Sequence, residues 1–129
     1  MSQIKIYALR TTLDRVKVTL SNAIHQAIVE SLNYPIEKKF QRFIALEQDD
    51  FIYPADRSEN YLIIEISMFE GRSIAAKKQL IACLFSNIQQ QCAISVQDIE
   101  ITIFETPKCN WGIRGQNAED LQLNYQVNV

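Results

Sequence analysis

Hydrophobic and polar side chains alternate at the start of the chain and then change to a helical spacing. The alternation over residues 4–8 predicts a β-strand with one buried face. Apolar side chains recur every three or four residues over 13–32, which predicts an amphipathic helix. Thr11 and Asp14 match a helix capping box, so we expect the helix to begin there. Pro35 should end it, because proline disfavours helical geometry in the residue before it.

The same order of patterns recurs in the rest of the chain. A second strand is predicted over 40–46, and a nearly continuous apolar run over 61–68 is typical of a strand covered on both faces. Ser73 is a suitable N-cap for a second amphipathic helix. Alternation over 99–103 predicts a fourth strand, and the strict alternation over 121–129 predicts a strand at the carboxyl terminus.

These patterns divide the chain into two repeats, residues 3–46 and 61–104. Shifting the first helix by 60 positions aligns Leu20 with Leu80, for example, and the other apolar positions follow. A strand-helix-strand unit crosses over right-handedly and places its two strands parallel. We therefore predict an α+β fold in one domain of residues 1–129: a four-stranded mixed sheet with both helices on one face, plus the carboxyl-terminal strand.

The second face of the predicted sheet has no helix to cover it. It carries apolar side chains mixed with polar ones, and such a face is usually buried against a partner. A closed homo-oligomer is the simplest partner. The polar stretch 47–60 is longer than most connections in a compact domain, so it is either a functional lid or docking hairpin, or a surface connection.

The composition excludes several classes of protein. A net charge of -2 over 129 residues provides no basic surface for nucleic acid. The apolar runs are too short to cross a bilayer, so we expect no membrane partner. Three cysteines without framework spacing are typical of a reducing compartment, which predicts a cytoplasmic protein. His25 is the only histidine, so we expect neither a metal site nor a cofactor.

Several short motifs follow one another in a fixed order. They are Pro35 followed by Phe40-Gln41, then Gly71-Arg72-Ser73, then Gln97-Asp98-Ile99 with Glu105, and finally Asn110-Trp111-Gly112 with Gly115. Together with the two repeats, this set resembles the tautomerase superfamily, in the long-chain group near malonate semialdehyde decarboxylase. The resemblance implies a tautomerase-like β-α-β fold over the whole chain and a homotrimer with sites between subunits.

The resemblance also implies a chemistry and a set of residues. In the family an amino-terminal proline, exposed after methionine removal, is the general base or acid, and arginines bind the carboxylate of a small keto acid or enol. Here Ser2 stands at that position; its free amine would have a reference pKa of about 7.7–8 and could accept a proton. We expect Ser2 and Arg72 to be catalytic. The residues expected to bind the substrate are Arg10, Arg42, Trp111 and Arg114.

Two interpretations of these residues stay open at this stage. Arg72 follows a strand and precedes a helix, where a guanidinium and backbone N–H groups bind anions well; alternatively it is a structural arginine that pairs with Glu70 or Asp98. If Arg72 binds an anion, we expect the protein to be an isomerase or lyase of small carboxylated keto/enol compounds. The alternative is a catalytically silent trimeric relative that binds a small anion or has a structural or interaction role.

Overall fold

Two strand-helix-strand units form the fold. The computed structural model describes residues 2–121. The elements of the first unit are β1 (Ser2–Leu9), α1 (Arg10–Leu32) and β2 (Gln41–Leu46). Those of the second unit are β3 (Leu62–Phe69), α2 (Ile74–Cys92) and β4 (Ile99–Thr106). A short hairpin follows, made of β5 (Gly112–Ile113) and β6 (Gln116–Asn117). Of the predicted carboxyl-terminal strand, residues 122–129 lie outside the described residues.

The four long strands form one mixed sheet in the order β2-β1-β3-β4. β1 is parallel to β2 and β3 is parallel to β4, while β1 and β3 pair antiparallel with Ser2 opposite Met68. The predicted four-stranded mixed sheet is confirmed. The register defines two ends of the sheet: the N-terminal end, where β1 begins and β3 and β4 finish, and the opposite end, where β1 finishes and β3 begins.

One hydrophobic core lies between the sheet and the two helices. The strand side chains of this core include Ile4, Ile6, Ile64 and Ile66, each at most 3% exposed. The helix side chains packed with them include Leu13, Leu20, Ile24, Ile28, Leu80, Leu84 and Ile88. Full burial of each such side chain contributes about 1.5–3 kcal/mol. Because both helices share this one cluster, they cover the same face of the sheet, as predicted.

The two helices begin in different ways. Ser73 caps α2 as predicted, and its hydroxyl accepts a hydrogen bond of 3.0 Å from the Ala76 N–H. The predicted capping box of Thr11 with Asp14 is wrong. β1 runs into α1 without a turn, so Leu9 occupies the cap position and makes no side-chain cap bond.

The second face of the sheet is partly covered by the chain after β4. Phe69 points to this face and is 1% exposed, because Trp111, Ile113 and Ala118 pack against it. The Phe69 and Trp111 ring centroids are 4.9 Å apart in an edge-to-face arrangement. The rest of the face is mixed: it carries an ion pair between Lys5 and Glu65 at 3.6 Å and the half-exposed ring of Phe104.

The long connection between the two units packs against the opposite end of the sheet. Asp98 accepts hydrogen bonds from the Ser58 N–H at 2.7 Å and the Ser58 hydroxyl at 2.5 Å. The Thr12 hydroxyl donates to the Glu59 carbonyl at 2.8 Å. Residues 47–60 are therefore attached to their own chain at the end of the sheet that is remote from Ser2. In residues 2–121 no helix has the length and apolarity to cross a membrane.

Candidate functional site

The N-terminal end of the sheet brings Ser2, Tyr34 and Arg72 together. The Ser2 nitrogen donates a hydrogen bond to the Tyr34 hydroxyl oxygen at 3.0 Å. All three residues are buried, with exposed fractions of 3% for Ser2, 3% for Tyr34 and 6% for Arg72. Ser2 is bonded to Tyr34, and Arg72 interacts electrostatically with the same Tyr34, so the two residues expected to be catalytic lie at the same end of the sheet.

Arg72 comes from the turn between β3 and α2 and reaches across to the end of α1. Its Nη1 donates to the Leu32 carbonyl at 3.2 Å. Burial lowers the pKa of the Arg72 guanidinium, and the neighbouring Tyr34 opposes this effect. The guanidinium stays positively charged at neutral pH, because arginine titrates far above it. Asp98, one of the expected alternative partners, lies at the opposite end of the sheet and accepts from Ser58 instead.

Tyr34 is the residue of this group that sequence reasoning missed. It was identified only as the position before Pro35 at the end of the first helix. The helix ends at Leu32, Asn33 adopts the left-handed conformation with φ of 50°, and the Tyr34 N–H bonds to the Val29 carbonyl at 3.2 Å. This backbone turn directs the side chain to Ser2, which is 32 residues away in the sequence. A buried, polar-tipped aromatic side chain usually has a hydrogen-bond partner, but no sequence signal identifies which one.

Gln3, the residue after Ser2, lines two depressions. The first has a volume of about 330 Å³ and is lined by Gln3, Lys39, Phe40, Gln41 and Arg42. The second has a volume of about 400 Å³ and is lined by Gln3, Ser67, Phe104, Thr106, Asn110, Trp111 and Gly112. Two of the residues expected to bind substrate, Arg42 and Trp111, therefore lie in the walls of depressions next to the start of β1. The Arg42 Nη2 also donates to the Gln3 side-chain oxygen at 3.2 Å.

The other two expected substrate-binding residues lie elsewhere in the subunit. Arg10 is at the opposite end of the sheet, where its Nε forms an exposed ion pair with Glu47 at 2.6 Å. Arg114 is at the tip of the β5–β6 hairpin, where it has a φ of 51° and is followed by Gly115 with a φ of 80°. Within residues 2–121 there is no group of three or more His, Cys, Asp or Glu side chains that could hold a metal ion.

Comparison with known proteins places this chain in a family. The sequence model of the family described as "Tautomerase enzyme" matches residues 38–114, which is more than half of the chain. The 2-hydroxymuconate tautomerase of Pseudomonas putida is 35% identical over 57 residues, which is 44% of this chain and 90% of that protein.

Solved structures share the fold. A malonate semialdehyde decarboxylase is 20% identical with a TM-score of 0.80, over 91% of this chain and 94% of the other. A fused 4-OT asymmetric trimer is 21% identical with a TM-score of 0.79, over 91% of this chain and 96% of the other. These two likenesses show the fold, and the match to the family model and the 35% identity show the family. The chain belongs to the tautomerase family.

Proposed function

We propose that this protein is an isomerase or lyase of small carboxylated keto/enol compounds that uses the Ser2 amine as its general base and acid. The observation that carries the proposal is the Ser2 nitrogen held against the Tyr34 hydroxyl at 3.0 Å, one residue from the two depressions that Gln3 lines. In the 129-residue chain this nitrogen belongs to a peptide bond. Removal of Met1 converts it to a primary amine.

A free amine at this position is suited to proton transfer near neutral pH. Its reference pKa is about 7.7–8. Burial and a nearby cation both favour the neutral form of an amine. Ser2 is 3% exposed, and Arg72 lies at the same end of the sheet and interacts electrostatically with Tyr34, to which Ser2 is bonded. A positioned base of this kind accelerates proton transfer about 10²–10⁴-fold. The amine would remove a proton from an enol or from the carbon next to a carbonyl, and return it at the other position.

Arg42 is the best placed residue to hold the substrate carboxylate. Unlike Arg72, it is exposed, and it lines the 330 Å³ depression together with Lys39. A planar guanidinium can bind a carboxylate through two parallel hydrogen bonds. Trp111 and Phe104, which line the neighbouring depression, would contact the carbon skeleton. Arg72, which is engaged with the Leu32 carbonyl, would contribute its charge from behind the amine rather than bind the substrate.

A homotrimer is part of the proposal. The half-exposed Phe104 on the uncovered sheet face supports burial against another copy, and the fused 4-OT that shares the fold is a trimer. In such an assembly Arg10 and Arg114, which are far from Ser2 within one subunit, would be available to a neighbour. Sedimentation at micromolar protein concentration tests this step, and a monomer would contradict it.

The experiment is a ketonisation assay on protein whose intact mass shows that it begins at Ser2. We expect 2-hydroxymuconate and phenylenolpyruvate to be converted faster than in buffer. Arg42→Ala should lower kcat/KM about 10–100-fold, the loss of a charged hydrogen bond of about 1.5–3 kcal/mol. Arg15→Ala is the control, since Arg15 is exposed and bonds to Asn60 at the opposite end. Background rates for wild type and Arg42→Ala alike would remove the proposal for these substrates.

The alternative is a silent trimeric relative that binds a small anion or has a structural role. The identity of residue 2 favours it, because serine supplies a primary amine where the family uses proline. Ser2→Pro separates the two: if wild type is at background and Ser2→Pro gains activity, the silent alternative is correct. Binding of malonate to the inactive wild type, measured by calorimetry, would then test the anion site.

A further inference from the structure

We propose that Tyr34 is a positioning residue that orients the Ser2 amine, and that the positive charge of Arg72 offsets the effect of Tyr34 by favouring the neutral form of that amine. The inference rests on the proposed function only in taking Ser2 as the reacting group. It assigns to Tyr34 a role that neither the sequence patterns nor the family match indicates. Tyr34 itself does not contact the substrate in this proposal.

The backbone fixes the place of the Tyr34 side chain. Asn33 is in the left-handed conformation, and the Tyr34 N–H is bonded to the Val29 carbonyl at 3.2 Å, so the chain turns sharply after α1. Pro35 restricts the residue before it to extended geometry. The side chain is 3% exposed within the main core. The turn and the packing together therefore restrict the position of its hydroxyl.

The hydrogen bond at this hydroxyl orients the amine. In the chain with Met1, the Ser2 amide N–H donates to the Tyr34 hydroxyl oxygen at 3.0 Å, and the amine left by removal of Met1 would keep this donor–acceptor pair. A neutral primary amine has two N–H groups and one lone pair. With one N–H donated to Tyr34, rotation about the N–Cα bond is restricted and the lone pair is directed away from the tyrosine. Such orientation of a reacting atom contributes substantially to rate.

Arg72 is attached to the same helix end that carries Tyr34. Its Nη1 donates to the Leu32 carbonyl at 3.2 Å, two residues before Tyr34. The two residues have opposite effects on the amine: an acceptor oxygen favours the ammonium form, while a nearby cation disfavours it. Other charged groups at this end of the sheet include Glu37, Lys38, Lys39, Arg42, Glu70, Lys77, Lys78, Glu105 and Lys108. Lys77 and Glu105 neutralise each other in an ion pair of 2.7 Å.

The test is the pKa of the Ser2 amine, measured by NMR on protein with ¹⁵N-labelled serine. In Tyr34→Phe the ammonium loses its acceptor, and we expect the pKa to fall by about 0.5–1, the difference between a charged and a neutral hydrogen bond. In Arg72→Gln the cation is gone, and the pKa should rise. Tyr61→Phe is the matched control, because its buried hydroxyl donates to Glu100 at 2.9 Å at the opposite end; we expect no change there.

The outcomes separate this inference from the proposed function. If Tyr34→Phe does not fold, 3-fluorotyrosine at position 34 weakens the acceptor without changing its size, and a smaller fall in the same direction is expected. Unchanged amine pKa values in the position-34 and Arg72 variants would overturn the inference, and so would an intact mass that retains Met1. Opposite pKa changes in a protein without ketonisation activity would support the positioning role and refute the proposed function. Ketonisation activity without any change in the amine pKa would support the proposed function and refute the positioning role.

Discussion

The start of β1 in the first unit and the start of β3 in the second unit are equivalent positions, and they lie at opposite ends of the sheet. The contacts made at these two ends differ. At the opposite end the connection 47–60 is bonded to the start of β4 through Asp98 and Ser58. At the N-terminal end, β1 begins at Ser2, beside Tyr34 and two depressions. The connection therefore bonds to the sheet at the opposite end, whereas at the N-terminal end two depressions lie beside the start of β1. This difference is the reason that we propose the N-terminal end, and not its equivalent, as the functional site.

Moving the reacting amine away from the position of the Ser2 nitrogen should produce the largest effect, a loss of kcat/KM. A glycine inserted between Met1 and Ser2 would, after removal of Met1, place the amine one residue or about 3.8 Å farther along the chain. The Ser2 nitrogen would become an amide, so we expect kcat/KM in the ketonisation assay to fall about 10²–10⁴-fold. A glycine inserted after Pro54, in the connection at the opposite end, is the control and should leave the rate unchanged. Equal rates in the wild type and the two insertion variants would show that catalysis does not depend on the position of the amine at the N-terminal end.

The aromatic packing at the N-terminal end should contribute most to stability. Phe69 is 1% exposed and packs on Trp111, so Phe69→Ala should lower the free energy of unfolding by about 3–5 kcal/mol. Phe51 is half-buried and stacks on Tyr61, with ring centroids 5.5 Å apart, at the opposite end. Phe51→Ala should cost clearly less. Urea unfolding of both variants measures the difference, and a larger loss for Phe51→Ala would reverse the assignment.

The hydrogen bonds between Asp98 and Ser58 at the opposite end should make an intermediate contribution to the free energy of unfolding. Asp98 is 5% exposed and accepts two hydrogen bonds from Ser58. Asp98→Ala leaves both donors without their acceptor, at a cost of about 1–3 kcal/mol. Hydrogen exchange should become faster in residues 47–60 and stay the same at the start of β1. Asp56→Ala, at an exposed carboxylate in the same connection, is the control. Protection of 47–60 unchanged in Asp98→Ala would mean that other contacts hold this connection.

Substitutions at the starts of the two helices should give the smallest difference in the free energy of unfolding. The Ser73 hydroxyl caps α2, so Ser73→Ala should lower the free energy of unfolding by about 1 kcal/mol. Thr11 lies in the first turn of α1 and is not its cap. Thr11→Ala should therefore change stability little, because alanine also has the higher helix propensity. Equal losses in the two variants would indicate that Thr11 supports α1 in a way that the structure does not show.

The fold was predictable from the sequence because it depends on periodic patterns. The alternation at Ile4 and Ile6 and the helical spacing at Leu20 and Leu80 determine which faces are buried, and all four residues are at most 3% exposed. The site was predictable only in part. Ser2 and Arg72 were identified from the family resemblance, and the structure brings them to one end of the sheet.

Tyr34 and the start of α1 were beyond the reach of sequence reasoning for different reasons. The contact of Tyr34 with Ser2 joins residues 32 positions apart and depends on a left-handed Asn33, which a hydrophobic pattern does not reveal. Thr11 and Asp14 fit a capping box by residue type, but a cap also requires a turn before the helix, and β1 leaves none. Local residue types therefore predicted a cap that the path of the backbone excludes.

The position of β1 within the sheet has a consequence for synthesis on the ribosome. β1 is the first strand to emerge, yet it lies between β2 and β3, and its Ser2 pairs with Met68. The edge of β1 that pairs with β3 must therefore wait until the chain through the end of β3 at Phe69 has left the exit tunnel, whereas the edge that pairs with β2 needs only the chain through Leu46. Processing of Met1 can take place on an exposed, unpaired segment during this interval. The nitrogen that we propose as the reacting group would reach its place beside Tyr34 only as the nascent chain completes its second unit.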